Sequence, residues 1–540
     1  MVTRADSPPA KDPPSHASAA GTPSGANREA RRERRANGAA VGIPTVLAAA
    51  LCLYEITSPS LGFDEAASVT IAAQHGSALG SAIAHDGGNM SGYYALLHVL
   101  IGLFGNSTLL IRLPSALATT ATAALVGLIG LRLFGRRVAF ASGLLTAVSL
   151  PLVAWGQDAR GYAPMVALVS ASFLAFVALV DAQRDGRRQR WPWIGYALTT
   201  TLAVYSSFVA ILVVPAQLIM LIWRRRAARP VLSALAVAGV CCTPLLVLAL
   251  ARGSGQLFWV PRPSFTPEKQ VLEALSSAGL QPNFRPTSTT FVLLGLTVLL
   301  LVLIAGLIVR GLRPGADRRA VWGQTLVVSW LVVPVALAWL ESLLGQSIFL
   351  PRNLLLSVPA VALLLAVGIM HRRVPVWVGW SVLAVVLALR ALQLAPSYGV
   401  SPEGWRQATA YVLARAQPRD CIAFYPSEGR MAFQYYIGTD TTAVARAPRS
   451  ILPVVPWGEV RPYVEDYVAL PRSELSALPS SCPRLWFVSS HEGQRTGPSG
   501  SRANYARYVN LRSALAQEYA RRRTVSFGYA SPVHVELLTR

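Results

Sequence analysis

Long apolar runs recur along the chain from residue 39 to residue 395, and short polar gaps separate them. A helix needs about 20 apolar residues to cross the hydrocarbon core of a bilayer, which is about 30 Å thick. The runs therefore predict a polytopic α-helical membrane protein with eleven spans, at residues 39–57, 109–131, 138–156, 163–181, 192–206, 207–223, 231–250, 290–309, 323–341, 354–370 and 375–394.

The gaps between the runs alternate in arginine content. Arginine-rich gaps are typical of cytoplasmic loops, and they occur here at residues 132–137, 181–190, 224–229, 310–319 and 371–373. The intervening gaps hold fewer arginines and lie at residues 58–108, 157–162, 251–289 and 342–353. This alternation predicts a multi-pass protein of the plasma membrane with a cytoplasmic N-terminus and an extracytoplasmic C-terminus.

Polar segments flank the apolar region on both sides. Residues 1–36 are rich in Pro, Ser, Ala and Gly and end in "NREARRERR", which predicts a disordered basic cytoplasmic tail. A cleaved signal peptide is the alternative. The apolar region forms a transmembrane module over residues 37–396. Residues 397–540 alternate strand-like runs such as "DCIAFYP" with amphipathic helical patterns, which predicts an extracytoplasmic α/β domain.

Composition agrees with this topology. The chain has 540 residues, of which 53% are hydrophobic and 14% charged, and its formal net charge is +23. A typical soluble domain has about 25% charged residues. Because the arginines cluster between apolar runs, membrane topology explains the charge better than nucleic acid binding does. The sequence has no P-loop, Rossmann glycine motif or zinc-ligand spacing, which disfavours a nucleotide-sugar donor.

The gaps predicted to lie outside contain acids and arginines near the membrane edge. Asp64 and Glu65 follow the first apolar run, where they suit the first turn of a helix. Ionisable groups near the membrane are costly unless they are paired or functional. Further polar and aromatic residues on this face are His85, Asp86, Tyr93, Tyr94, Gln157, Asp158, Arg160 and Arg352. Acids and arginines that meet on one face of a membrane bundle suit a reaction with an anionic, lipid-linked substrate.

Several short motifs, taken in order, resemble one family of membrane enzymes. They are "FDEA", the elements "YY", "RLPSA" and "RLFG" that follow Asp86, and "QDARGY". Their order and spacing resemble the polytopic GT-C glycosyltransferases, in particular the protein O-mannosyltransferases, the aminoarabinose transferases and their actinobacterial relatives. The resemblance covers residues 40–370 and is strongest over 61–165. Two family elements, "PRYLLP" and "HPPLYY", read "PRNLLL" and "NMSGYY" here, so residues near the expected substrate pocket differ.

The resemblance implies transfer of a sugar from a polyprenyl-phosphate donor to an acceptor in the cell envelope. Asp64 matches the family's catalytic aspartate and would act as general base for the acceptor hydroxyl. Arg160 and Arg352 would hold the lipid phosphate through their guanidinium forks. Glu65 or Asp86 would position the acceptor or a divalent cation, Mg²⁺ or Mn²⁺.

The remaining candidates have two interpretations each. His85 is a substrate ligand or a solvated loop histidine, and Tyr93 and Tyr94 stack on substrate or belong to the interfacial aromatic belt. Gln157 and Asp158 complete the expected substrate-binding set. Aromatic residues of the C-terminal region either stack on sugar rings or pack in its core; they are Trp405, Tyr435, Tyr436 and Trp486.

The sequence leaves the sugar and the acceptor open. Mannose is the expected sugar and arabinofuranose the alternative; the acceptor is a glycan, a lipoglycan or a protein. A transporter or flippase and a non-catalytic scaffold for envelope assembly are alternatives from other classes. A transporter would show acids inside its spans and internal repeats, whereas the apolar runs here hold almost no acids.

Two cysteines of the C-terminal region are predicted to form a disulfide. Cys421 and Cys482 each lie beside a predicted strand, and disulfides persist outside the cytoplasm. Two buried free thiols are the alternative.

Overall fold

The computed structural model describes residues 25–186, 190–253, 257, 259–263, 318–438, 441–459, 461–462, 472–496, 498–529 and 531–540. The predicted span at 290–309 lies outside the described residues, as do most of the gap 251–289 and most of the loop 310–319. The chain divides into two units, Met1–Ala39 and Ala40–Arg540. The membrane helices after residue 40 and the C-terminal sheet therefore belong to one unit.

The described helices are numbered here in chain order. They are α1 Gly25–Leu53, α2 Phe63–Ala72, α3 Ser77–His85, α4 Ser91–Phe104, α5 Thr108–Phe134, α6 Arg136–Ala147, α7 Leu150–Gly156, α8 Tyr162–Arg184, α9 Arg190–Ser206, α10 Val214–Ile219, α11 Ala228–Cys241, α12 Thr243–Arg252, α13 Arg318–Leu344, α14 Val358–Ile369, α15 Val376–Leu394, α16 Trp405–Leu413, α17 Gly429–Ile437, α18 Thr441–Arg446, α19 Arg472–Ser481 and α20 Ser499–Glu518.

The N-terminal helix begins earlier than the sequence predicts. The disordered tail was expected to reach residue 36, but α1 starts at Gly25. The segment after Gly25 is rich in Ala, Arg and Glu, which are strong helix formers. The expectation of disorder is therefore wrong for residues 25–36, and residues 1–24 lie outside the described part of the chain.

Within the described ranges, six helices are long and apolar enough to cross a membrane: Asn27–Leu53, Thr108–Phe134, Tyr162–Arg184, Arg319–Leu344, Pro351–Ile369 and Val376–Ser397. Two bent helix pairs raise the number to eight, α6 with α7 at 57° and α11 with α12 at 50°. A proline lies in the first turn of both α7 and α12. Proline fits the start of a helix and not its interior, which explains both breaks.

The expected number of eleven spans is not reached among the described residues. The predicted spans at 192–206 and 207–223 correspond to α9, which has 17 residues, and to the short apolar segment Phe208–Trp223. Both are shorter than the about 20 residues that a spanning helix requires. The first predicted external gap, 58–108, folds into the three helices α2, α3 and α4.

The core of the membrane region is closed by aromatic packing between distant helices. Phe173 of α8 stacks on Trp330 of α13 with 3.9 Å between ring centroids. The indole Nε1 of Trp330 donates to the carbonyl of Leu356 at 2.8 Å. Leu356 lies in a short 3-10 turn, Pro351–Ser357, which leads into α14. This turn carries Arg352, so the aromatic packing also fixes the position of one expected site residue.

A five-stranded sheet forms the centre of the C-terminal region. The strands are β1 Cys421–Tyr425, β2 Arg449–Leu452, β3 Arg484–Ser489, β4 Arg521–Phe527 and β5 Val533–Thr539. Their order is β2-β1-β3-β5-β4, with β1 parallel to β2 and β3, and β5 antiparallel to β3 and β4. One face packs on α16 and α17 and the other on α19 and α20. All five residues of β1 are buried, as expected for a strand covered on both faces.

The predicted α/β class of this region is confirmed. The antiparallel hairpin β4–β5 closes the sheet, and β4 starts at Arg521, directly after the end of α20 at Glu518 and two further residues. Trp405 and Trp486 are fully buried, so the interpretation as core residues is correct for both and sugar stacking is excluded.

Cys421 and Cys482 are joined by a disulfide with 5.6 Å between their Cα atoms. The pairing of β1 with β3 explains the proximity. Cys421 pairs with Leu485 in the parallel register, and Cys482 lies three residues before Leu485.

Candidate active site

Helix α2 presents two adjacent acids in opposite environments. The helix starts at Phe63, and the Glu65 carboxylate accepts a hydrogen bond from the Gly62 N–H at 3.0 Å, which satisfies a free donor at the helix start. Consecutive residues of a helix point about 100° apart, because one turn takes 3.6 residues. Asp64 therefore faces an open cavity while Glu65 turns into the protein.

Asp64 lies between two arginines. Its Oδ2 accepts a hydrogen bond from Arg352 Nη1 at 3.0 Å and lies 3.6 Å from Arg160 Nη2. Arg160 Nη1 also donates to the Asp64 carbonyl at 3.2 Å and to Ser68 Oγ at 3.3 Å. Burial alone would raise the pKa of Asp64, but the charges of Arg160 and Arg352 outweigh it and lower the pKa to about 2. The carboxylate is ionised at neutral pH and still 43% exposed to the cavity.

The two arginines are held by aromatic rings. The Arg160 and Arg352 guanidinium groups lie 5.9 and 5.6 Å from the ring centroid of Tyr162, and Arg352 lies 5.2 Å from that of Trp259. Both Nε atoms are buried without a hydrogen-bond partner among the residues that the structure describes. Two guanidinium groups face one carboxylate, so the cluster carries an excess positive charge that suits an anion such as phosphate.

Glu65 has a different environment from the one the sequence predicts. Its Oε1 accepts from Arg112 Nε at 2.8 Å and from the Ala159 N–H at 2.9 Å, and its Oε2 accepts from Arg112 Nη2 at 2.7 Å. Both side chains are nearly inaccessible, at 6% and 2% exposed. Glu65 borders the cavity, but its carboxylate oxygens are occupied by hydrogen bonds from Arg112, Gly62 and Ala159. Glu65 is a structural residue here, which corrects its expected catalytic role.

Arg112 uses all five of its N–H donors around the same loop. Besides the bonds to Glu65, Nη1 donates to the carbonyls of Ile56 and Pro59 at 2.7 and 3.1 Å, and Nη2 donates to that of Ser60 at 3.2 Å. These three carbonyls belong to the segment directly before α2. The buried pair therefore fixes the path of the chain into Asp64.

The loop between α7 and α8 brings Gln157, Asp158 and Arg160 to the cavity. The Gln157 amide donates to the carbonyls of Cys52 and Tyr54 at 3.1 and 2.7 Å, so its N–H donors also hold the end of α1. Asp158 lines the cavity, and its Oδ1 has no hydrogen-bond partner among the described residues. Burial and the neighbouring charge of Glu65 raise the pKa of Asp158.

Of the four candidates at residues 85–94, the structure brings two to the cavity. His85 and Asp86 line it, and Asp86 accepts a hydrogen bond from Tyr94 at 2.8 Å. Tyr93 is buried and donates to the carbonyl of Ile111 at 3.2 Å. Tyr93 and Tyr94 are both fully buried. Both rings pack inside the protein. They therefore neither belong to the interfacial aromatic belt nor stack on a substrate.

The C-terminal region holds the loop that leads to Asp64. Ser401 Oγ accepts from the Ser60 N–H at 2.8 Å, Tyr436 from the Leu61 N–H at 2.6 Å, and Glu403 from the Phe63 N–H at 2.7 Å. Arg406 donates to the carbonyls of Ser58 and Thr57 at 3.0 and 2.9 Å. Tyr435 donates to the carbonyl of Asn106 at 2.8 Å. Tyr435 and Tyr436 therefore bind the membrane region rather than a sugar.

Asp64, Arg160 and Arg352 line a cavity of about 1290 Å³. Small-molecule sites usually measure about 300 to 1,000 Å³, so this one has room for two substrates. Many of its lining residues come from the C-terminal region, among them the titratable Glu403, His491 and Glu492, which the sequence analysis does not identify. Glu403 lies in "SPEGW", and His491 lies in "SSHEG" just after β3. The position of His491 directly after a buried parallel strand is the sequence signal that indicates a candidate site residue.

A metal centre is not evident in the described part of the chain. No group of three or more His, Cys, Asp and Glu side chains there could hold a metal ion. The expected divalent cation stays a prediction.

Comparisons with known proteins agree with the fold. Residues 92–250 match the family described as dolichyl-phosphate-mannose-protein mannosyltransferase. No curated protein matches the chain. Among solved structures, the crystal structure of ArnT from Cupriavidus metallidurans in the apo state is similar with a TM-score of 0.52 and 13% identity, over 92% of this chain and 97% of that one.

The oligosaccharyltransferase of Archaeoglobus fulgidus in the apo form is similar with a TM-score of 0.51 and 13% identity, over 92% of this chain and 74% of that one. At this identity the likeness establishes the fold, which is that of the GT-C glycosyltransferases. Together with the family match, it supports a membrane glycosyltransferase as the general class.

Proposed function

We propose that this protein transfers a sugar from a polyprenyl-phosphate donor to an acceptor outside the cytoplasm. The observation that carries the proposal is the cluster of Asp64, Arg160 and Arg352 in a large cavity. Transfer from a phosphate-linked sugar requires groups that bind the leaving phosphate and a carboxylate near the reacting carbon. The two guanidinium groups and Asp64 are of these types.

The arginines suit the leaving group. As the bond between the sugar C1 and the phosphate oxygen breaks, negative charge grows on the lipid phosphate. Guanidinium forks match phosphate geometry with two parallel hydrogen bonds, and the aromatic rings around Arg352 restrict its orientation. In the free protein, the Asp64 carboxylate pairs with both arginines. We expect the donor phosphate to replace it as their anionic partner.

Asp64 suits the reacting carbon and the acceptor. An ionised carboxylate beside C1 stabilises the positive charge that develops on the sugar in the transition state, as it does in glycoside hydrolysis. When the phosphate draws the arginines away, Asp64 is free to accept a hydrogen bond from the acceptor hydroxyl. In this setting Asp64 would orient the acceptor hydroxyl and assist its deprotonation, which is the role that the sequence analysis expects of it.

Mannose is the proposed sugar, and a glycan, lipoglycan or protein of the cell envelope is the proposed acceptor. The description of the matched family supports mannose. Arabinofuranose, the alternative within the same fold, is an outcome of the experiment below. A transporter or a scaffold is disfavoured by the ordered cluster around Asp64, which neither function needs.

We propose a plasma-membrane location with the N-terminus in the cytoplasm and residues 397–540 outside. The arginine-rich gaps support this orientation, and the Cys421–Cys482 disulfide suits an oxidising compartment. A cysteine introduced at Val454, which is 80% exposed, should be labelled by a membrane-impermeant maleimide on intact cells, with the wild type as the control. Labelling only after cell lysis would contradict the orientation.

The decisive assay uses the purified full-length protein in lipid nanodiscs. Radiolabelled polyprenyl-phosphate mannose and polyprenyl-phosphate arabinofuranose are offered side by side with a membrane extract as acceptor. Transfer from the mannose donor is expected, and transfer from the arabinose donor alone would change the sugar but keep the class. Absence of transfer from either would reject the proposal. The same assay with EDTA tests the Mg²⁺ or Mn²⁺ requirement.

A further inference from the structure

The C-terminal region contributes an imidazole and a carboxylate to the cavity that holds Asp64. His491 Nε2 lies 3.4 Å from Glu403 Oε1. The other Glu403 oxygen, Oε2, accepts hydrogen bonds from the Phe63 N–H and from Trp405 Nε1, both at 2.7 Å. Phe63 is the residue before Asp64, and its ring lies 5.0 Å from the His491 ring. Glu403 thus connects the imidazole with the start of helix α2.

The backbone places His491 where sheet proteins bind ligands. It lies in the loop after β3, at the edge where the parallel strands β1 and β3 end, and ligands of open α/β sheets bind outside the carboxyl ends of strands. Its φ of 55° falls in the left-handed region, which non-glycine residues seldom adopt. Asn504 Nδ2 donates to the His491 carbonyl at 3.1 Å and holds this conformation. Strained residues that the surrounding structure maintains cluster at functional sites.

The two ring nitrogens of His491 have different neighbours, a hydroxyl at Nδ1 and the Glu403 carboxylate at 3.4 Å from Nε2. Nδ1 lies 2.9 Å from Ser490 Oγ. In the neutral tautomer with its proton on Nδ1, that nitrogen donates to Ser490 and the Nε2 lone pair is available on the cavity side. A proton taken up at Nε2 would then bring the imidazolium into an ion pair with Glu403.

The charged groups around the imidazole are mostly acidic. Glu403 faces it from the segment before α16, Asp64 from α2, and Glu492 follows it in the same loop. Arg160 and Arg352 pair with Asp64. The cavity therefore has a pair of guanidinium groups for a phosphate and, from the C-terminal region, an imidazole beside carboxylates.

Asp64 alone is a weak proton acceptor in this setting. In the free protein its carboxylate is paired with two guanidinium groups, and the ordinary pKa of an aspartate, 3.8, is low for a base that works near neutral pH. A carboxylate in that position can orient a hydroxyl by accepting its hydrogen bond. The proton released as the glycosidic bond forms needs a second acceptor.

We propose that His491 is a catalytic residue that takes the acceptor proton, with Glu403 as its positioning residue. The inference rests on the proposed function. The acceptor oxygen forms a bond to the sugar C1, the bond from C1 to the phosphate oxygen breaks, and its electron pair leaves with the lipid phosphate held by Arg160 and Arg352. The acceptor proton moves to His491 Nε2, where Glu403 stabilises the imidazolium.

The test compares two small alcohols as acceptors, ethanol and the more acidic trifluoroethanol. Full-length wild type and His491→Gln in nanodiscs are assayed with the radiolabelled lipid donor that the wild type uses. A more acidic alcohol needs less help from a base. We therefore expect His491→Gln to slow transfer to ethanol by roughly 100-fold and transfer to trifluoroethanol by roughly tenfold or less, in line with general-base contributions. The KM for the donor should not change.

A purely structural role of His491 predicts a different result. Equal slowing with both alcohols, or no slowing, would overturn the inference while the activity of the wild type upholds the proposed function. A wild type that transfers sugar to neither alcohol nor membrane extract overturns both. Glu403→Gln is the second variant, since its amide oxygen can keep the bonds to Phe63 and Trp405. It should show the same preference for trifluoroethanol with a smaller loss, and an intact Cys421–Cys482 disulfide in both variants checks folding.

Discussion

Two acid–arginine clusters begin at adjacent residues, and they differ in every property that matters for function. The pair of Glu65 and Arg112 is buried, uses all the guanidinium donors and holds the loop before α2. The cluster of Asp64 with Arg160 and Arg352 is open to a cavity and has spare donors.

Charged residues that stabilise the fold thus differ from charged residues that can bind a substrate. A buried pair whose hydrogen bonds are all made cannot take part in a reaction without unfolding its surroundings. A cluster with unused donors can exchange its internal partner for a substrate. The number of hydrogen bonds made, rather than the presence of charge, distinguishes the two.

The largest expected effect comes from breaking the buried pair. Arg112→Met should lower the free energy of unfolding by about 3–5 kcal/mol, because it leaves the Glu65 charge buried without its partner. Thermal unfolding of the purified protein in detergent measures the loss. Arg352→Met, in the open cluster, is the matched control and should change stability much less. Equal losses in the two variants would contradict the distinction.

Asp64→Asn should reduce sugar transfer by roughly 100-fold or more, with little change in the amount of folded protein. The substitution keeps the size of the side chain and removes its charge. Initial rates with the lipid donor measure the effect. Asp181→Asn, which changes a carboxylate paired with Arg132 away from the cavity, should retain wild-type activity. A purified Asp64→Asn protein with more than about a tenth of the wild-type rate would show that Asp64 is not required.

Arg160→Lys and Arg352→Lys should each raise the KM for the lipid donor by about tenfold. A lysine keeps the charge but loses the guanidinium fork, and a hydrogen bond to a charged group contributes about 1.5–3 kcal/mol. Kinetics against donor concentration measure the change. Arg132→Lys, outside the cavity, is the control. An unchanged KM in both cavity variants would remove these arginines from the donor site.

The smallest expected effect is a pH dependence of stability that belongs to Asp64. Its pKa is lowered from an ordinary 3.8 to about 2, so the ionised form stabilises the folded protein above pH 4 and this contribution fades as pH falls toward 2. Thermal unfolding of wild type and Asp64→Asn between pH 7 and 3 should therefore show a difference that shrinks as the pH is lowered. A constant or growing difference would mean that the arginines do not hold Asp64 as an ion pair.

Sequence patterns indicate the members of the open cluster better than those of the buried pair. Asp64, Arg160 and Arg352 were all recognised, because charged residues at the edge of apolar runs stand out against their surroundings. Arg112 was not recognised and Glu65 was assigned a catalytic role, since an arginine inside α5 reveals its partner only after α2 has folded beside it. The burial of Tyr93 and Tyr94 also depends on tertiary packing: Tyr93 bonds to the carbonyl of Ile111 in α5, and Tyr94 bonds to Asp86 in the turn before α4.

The sequence by itself determined the membrane class of this protein and the α/β class of residues 397–540. Both follow from local periodicity: runs of apolar residues for the spans, and short buried runs between amphipathic helices for the sheet. Only the tertiary structure decided that Glu403 and His491 reach the cavity of Asp64, 339 and 427 residues further along the chain. The physical reason is that a single hydrogen bond from Phe63 to Glu403, or one ring contact with His491, has no periodic signature. Such contacts exist only once the sheet has folded and its strand ends face helix α2.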